Sequence, residues 1–163
     1  MSLNGYIFLL PKEIKVLISV FIIVLSIGFF SGLLFVGETS SVNPNGIEEQ
    51  YLGNEHDEDA EVMKFKKSDQ EMLSIVHSHI LSMSLIFFLL GLIVSITKLK
   101  QRVKIFLMVE PLLSVLLTFG GLYFMWTGVI WMKYIVMFSG TLMTLSFLLS
   151  VVIILKQLFE KSS

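Results

Sequence analysis

Residues 16–36 read VLISVFIIVLSIGFFSGLLFV, an apolar run of 21 residues without a charge. Wound as a helix at about 1.5 Å per residue, the run covers roughly 30 Å, the thickness of a bilayer's hydrocarbon core. No water is available there to satisfy the backbone, and a helix bonds its own amides and carbonyls. The run predicts a transmembrane helix, and three more runs of the same kind follow. The expected helices cover residues 14–36, 72–97, 105–126 and 130–156. The fold class that follows is all-α: a four-helix transmembrane bundle with an acidic extracytoplasmic loop, residues 37–71, between the first and second helices.

Composition agrees with this reading. Hydrophobic residues make up 55% of the 163 and charged residues 15%, well below the charge usage of soluble domains. A chain of this length with four spans has room for one membrane domain, 1–163, and for no separate soluble domain. The first span is too long for a signal-peptide core, and no Ala-x-Ala site follows it, so it reads as a retained anchor.

The net charge of −1 hides an asymmetry that sets the expected orientation. Residues 37–71 carry ten acidic side chains against three lysines, whereas Lys98, Lys100, Arg102 and Lys104 crowd the link between the second and third spans. Basic residues in short loops stay on the cytoplasmic side. Lys12 and Lys15 before the first span, and Lys156 and Lys161 after the last, give the same answer. Both termini are expected in the cytoplasm of a bacterium, the protein in its inner membrane and the acidic loop outside. Tyr123, Phe124, Trp126, Trp131 and Tyr134 form an aromatic belt at the outer end. Since topology explains the basic cluster, no nucleic-acid partner is expected.

The chain has no cysteine. That excludes disulfides, thiolate metal sites, iron–sulfur clusters and covalently attached haem. There is no P-loop, dinucleotide fingerprint or HExxH, and no enzyme motif in the chain rises above a weak one. Ser41-x-Asn43-x-Asn45-Gly46 has the look of a calcium loop, but Leu52 stands where the bidentate glutamate belongs.

Ionisable residues inside spans are the remaining functional candidates. His77 and His79 lie near the outer end of the second span, about 200° apart on a helix, so they cannot both reach one metal ion. His77 shares a small, polar face with Ser74, Leu81, Ser84, Phe88, Gly91 and Ser95. That face suits close helix packing, and His77 is expected inside the bundle. His79, beside Met72, Met83, Ile86 and Leu90, is expected to point to lipid or a second protein. One reading makes His77 or His79 an axial ligand of a b-type haem or another metal, with His56, Met83 or Met132 as second ligand. The other makes His77 a hydrogen-bonded packing residue.

Glu110, followed by Pro111, is read as sitting near the cytoplasmic end of the third span. It either snorkels to the interface, pairs with Lys100 or Arg102, or accepts a proton; snorkelling is the simplest of these. Lys133 is expected to pair with the acidic loop or with Glu71. The run His56-Asp57-Glu58-Asp59 has the charge to hold a divalent cation weakly, although such runs are commonly solvated loop. Gly28-x-x-x-Gly32 has the spacing that lets two helices approach. Tyr51, Met63 and Phe65 are apolar enough to touch the membrane surface or a partner.

Tyr51-x-Gly53-Asn54, Met63-Lys64-Phe65 and His77-x-His79 ahead of Phe87-Phe88-x-x-Gly91 resemble a group of short four-span bacterial inner-membrane proteins, over residues 20–150. Some of those relatives carry Cys-x-x-Cys-His in the outer loop, which implies redox work at the outer face. This chain lacks both cysteines, so the resemblance implies the architecture and not the covalent haem. Two function classes stand. In the first the chain is a non-catalytic accessory subunit of a larger membrane complex or of a self-assembly, in contact with lipid. In the second it is a redox-associated protein with a haem or metal at His77 or His79.

Overall fold

Four of the helices follow from hydropathy, and one follows from local turn chemistry. The computed structural model describes residues 3–40, 43–55 and 62–160. Among these are α1 (Lys12–Ser40), α2 (Pro44–Leu52), α3 (Asp69–Ser95), α4 (Gln101–Trp126) and α5 (Met132–Phe159), after a short 3-10 turn at Tyr6–Leu9. There is no strand among the described residues. Helices α1, α3, α4 and α5 are each long and apolar enough to cross a membrane. At 26 to 29 residues each they reach about 39–44 Å, past the hydrocarbon and into both headgroup layers.

Side-chain caps set where helices begin. Ser68 and Glu71 form a reciprocal capping box at the start of α3, each bonding the other's backbone amide, which satisfies two otherwise orphaned donors. Asn43 caps α2 by accepting from the Gly46 amide at 2.7 Å, with Pro44 in the first turn, where its missing N–H costs nothing.

The acidic region is thus partly helical. α2 lays Ile47 and Tyr51 onto a small core of Met72, Leu122, Met125 and Val136 at one end of the bundle. Gly53 ends α2 at φ 84°, and the backbone of 64–66 passes so close that a Cβ there would lie 2.8 Å from the Lys64 carbonyl and the Lys66 amide. Only glycine fits both demands. The Trp126 indole donates to the Lys67 carbonyl at 2.9 Å, tying this segment to the end of α4. Met63 and Phe65 remain exposed.

The opposite end is stitched at the α3–α4 turn. The Gln157 side chain both accepts from the Lys98 amide at 2.7 Å and donates to its carbonyl at 3.1 Å. Asn4 accepts from the Leu99 amide and from Lys104 Nζ. Lys104, read from sequence as one of the topology-setting cations, is buried, and its ammonium also reaches the Ser95 carbonyl at 2.9 Å.

Between these ends α4 packs against both α3 and α5, and the shared core holds Phe87, Leu90, Leu107, Val115, Met143 and Phe147. α1 joins differently. Among its described side chains only Ser19 and Ile22 are buried. Phe29 reaches in, its ring stacked 4.0 Å from Phe147 and set edge-on to Phe87 at 6.5 Å. The bundle is three closely packed helices with a fourth leaning on them. A Cβ built on Gly28 or Gly32 would meet nothing within 4 Å among the described residues, so no described neighbour packs closely on the side where the pair lacks side chains.

Candidate functional site

The histidines keep the opposite-face relation implied by their spacing, and both are exposed. His79 lies on the α4 side of α3, its ring stacked on Phe119 with centroids 4.7 Å apart. Its Nδ1 is 2.8 Å from the Ile75 carbonyl. A carbonyl only accepts, so this contact puts the proton on Nδ1 and leaves Nε2 with the lone pair in the neutral ring. His77 faces away from the bundle and is exposed, as are Ser74, Leu81 and Phe88 around it. The expectation of His77 inside the bundle is corrected, while His79 is exposed as expected and also leans on Phe119 of α4. Lipid is as apolar as leucine, and burial in a bundle follows shape more than polarity. On α3 the close-fitting side carries Met72, Phe87, Leu90, Gly91 and Val94.

Met83, one turn beyond His79 on the same side of α3, is half-buried against the main core. Two residues one turn apart on one helix cannot take opposite axial positions on one iron, so Met83 does not complete a six-coordinate site with His79. Met132 packs instead at the α2 end, beside Gly121. His56 and the acidic run Asp57–Asp59 lie outside the described residues, and among the described ones no three His, Cys, Asp or Glu side chains converge on a metal position.

Glu110 is not at the interface. α4 begins at Gln101, which puts Glu110 nine residues in, about 14 Å along the axis. It is 8% exposed. Ser114 donates to its Oε1, while Oε2 is buried without a hydrogen-bond partner. The snorkelling expectation is corrected, as is pairing with Lys100 or Arg102. A carboxylate on the packed side of a helix has no outward path for so short a stem.

Glu110 belongs to a buried polar seam that the sequence reading missed. On α4 it is followed by Ser114 and Thr118, and α5 answers with Ser139, Ser146 and Ser150, all buried. Thr118 and Ser139 hydrogen-bond across the helices at 2.7 Å. The legible signal was the spacing. Glu110, Ser114 and Thr118 recur every four residues, and Ser139, Ser146 and Ser150 at seven and four, so each set forms one stripe.

Lys133 pairs with Glu48 of α2 at 2.6 Å and with Asn45 Oδ1 at 3.0 Å. Glu71 is held by its capping box and by Lys67 at 3.7 Å. In α2, burial raises the Tyr51 phenol above its ordinary pKa.

Four membrane-length helices, a polar seam inside them and a short capped helix over one end define a small polytopic integral membrane protein. Residues 41–163 match the family model Aq_1264_TM, a transmembrane helical domain, and the chain belongs to that family. No curated protein and no solved structure matches it.

Proposed function

We propose that this chain is a non-catalytic accessory subunit that presents the His77 face of α3 to another protein within the membrane. One observation carries the reading: at span depth, the face with His77, Ser74, Leu81 and Phe88 is left outside the bundle. Lipid tails offer an imidazole no partner, and ionisable residues in spans face protein or water. The charge asymmetry supports a bacterial inner-membrane setting with both termini cytoplasmic and α2 outside. A reporter joined after residue 163 is then cytoplasmic, and one inserted at residue 55 external.

Cross-linking tests the face directly, because a cysteine-free chain gives single-site chemistry. Ser74→Cys and Ser84→Cys, treated in native membranes with a short thiol-to-amine or thiol-to-thiol reagent, should yield a defined cross-linked species, either a dimer of this chain or a complex with one other membrane protein. Leu116→Cys, exposed on α4, should not. Equal absence of cross-links at all three positions rejects the reading.

A second reading rests on His79. With Nδ1 bonded to the Ile75 carbonyl, the ring is held with Nε2 free to coordinate, as a hydrogen bond to the other nitrogen commonly holds a metal-bound histidine. His79 would then ligate a b-type haem or a metal, with the opposite ligand from another chain. A Soret band in purified protein, lost in His79→Ala and kept in His77→Ala, supports it; protein without haem or stoichiometric metal rejects it.

A further inference from the structure

The polar seam contains two buried oxygen atoms without hydrogen bonds, Glu110 Oε2 on α4 and Ser150 Oγ on α5. Glu110 is 8% exposed and Ser150 is fully buried. Each such atom is a standing cost in a bilayer. Two of them on facing helices point to something that satisfies both.

Their placement follows from the packing. At 100° per residue, Glu110 and Ser114 lie on the same side of α4 as Gly121, whose Cβ direction meets Val136 of α5. The other side, with Met108 and Phe119, meets Gly91 and His79 of α3. On α5, Ser146 and Ser150 share the stripe of Ser139, which bonds Thr118 of α4. That bond sets the antiparallel register. Eight residues from it along each helix, Glu110 stands level with Phe147, so Ser146 and Ser150 flank the carboxylate at about 1.5 and 4.5 Å along the axis. Pro111 supplies a further oxygen. It sits inside α4 and has no N–H for the carbonyl four residues back, that of Leu107. Leu107 is buried on the same seam and stands level with Ser150.

The donors are therefore all oxygen: one carboxylate, the hydroxyls of Ser114 and Ser150, and a released backbone carbonyl. Hard cations take such a set. The charge decides which. A single carboxylate neutralises a monovalent ion, whereas a divalent ion would leave a net charge buried in hydrocarbon. We propose that the α4–α5 seam is a binding site for a small dehydrated monovalent cation, sodium being the probe of choice, held by Glu110, Ser114, Ser150 and the Leu107 carbonyl.

Few other charges bear on this carboxylate. Lys104 lies lower on α4, held by Asn4 and the Ser95 carbonyl. α5 has no titratable group between Tyr134 and Lys156, and α3 has none between His79 and Lys98.

Thermal unfolding of the full chain in detergent or nanodiscs tests the proposal, comparing sodium chloride with choline chloride at equal ionic strength and mildly alkaline pH. Sodium should raise Tm by about 3 °C per tenfold increase once the site is filling. The gain should vanish in Glu110→Gln, which keeps the shape, and shrink in Ser150→Ala. Potassium should act more weakly. Dicyclohexylcarbodiimide, which modifies protonated carboxyls in hydrocarbon, should label Glu110 of the wild type, more slowly with sodium present. This readout decides the question if Glu110→Gln fails to fold. A wild-type Tm that does not distinguish sodium from choline overturns the proposal. So does a sodium response that survives in Glu110→Gln, or labelling and stability that follow pH alone, which would make Glu110 a proton site only.

Discussion

α1 and α4 are of similar length, and α1 is the more hydrophobic of the two. Yet α4 buries ten residues in the bundle, while α1 buries two among its described side chains. The residues that α4 buries include Glu110, Ser114, Thr118 and Gly121, small or polar ones. The large aliphatic residues of α1, Leu17, Val24, Ile27 and Leu34, point outward. In a bilayer, hydrophobicity puts a helix in the membrane and does not put it in the bundle. Close backbone approach and shared hydrogen bonds do that, because lipid competes for every other contact on equal terms.

The largest effect that can break this comparison is where Phe29 of α1 meets the core. Phe147 is fully buried between Phe29 and Phe87. Phe147→Ala should cost about 3–5 kcal/mol, the usual range for emptying a buried aromatic site, measured by reversible unfolding in mixed micelles. Val152→Ala, exposed on the same helix, should stay within about 0.5 kcal/mol. If the two cost the same, the distinction between core and lipid faces of α5 fails.

The glycines sharpen it further. A Cβ on Gly121 would lie 2.9 Å from Val136 Cγ2, and Val136 is buried and stiff at χ1. Gly121→Leu should force α4 and α5 apart at a cost of about 1–3 kcal/mol. Gly28→Leu and Gly32→Leu meet open space and should be neutral or slightly stabilising, since leucine is the better helix former. A destabilised Gly28→Leu protein would show that α1 packs against a second chain.

The smallest effect concerns α2, which rests on the α4–α5 end through Tyr51. Burial raises the Tyr51 phenol, so the folded state holds its proton to higher pH than the unfolded chain does. The docking contribution is complete below the unfolded pKa of about 10 and is lost as pH rises through the folded value. Tyrosinate absorbance and Trp126 fluorescence should change together in that alkaline window, and Tyr51→Phe should remove the coupled step.

The spans were legible because length and hydropathy are summed over some twenty residues, and no local exception undoes the sum. The side chains that make the seam were not legible by that measure. Ser114, Ser139, Ser146 and Ser150 barely change a hydropathy sum, and their weight lies in which way they face. The face of α3 was misassigned for a related reason. Ser74, Ser84 and His77 look like packing residues, but α4 presents Phe119 and Met108, which fit against His79 and Gly91. Glu110 was misplaced because Lys104, one of the charges thought to end the helix, lies inside it. The α2 helix has its signals in the sequence, Asn43-Pro44 at the start and Gly53 at the end, but the same residues serve turns equally well.

The stitch at the α3–α4 turn bears on the order in which such a chain comes together. Asn4 waits for Leu99 and Lys104, some 95 to 100 positions later, and Lys98 waits for Gln157, 59 positions later. A chain delivered to the bilayer one helix at a time holds this end open until its last helix has been made. The Asn4 contacts can then close once α4 is in place, and the Lys98–Gln157 pair, nearer in sequence, forms only when α5 follows.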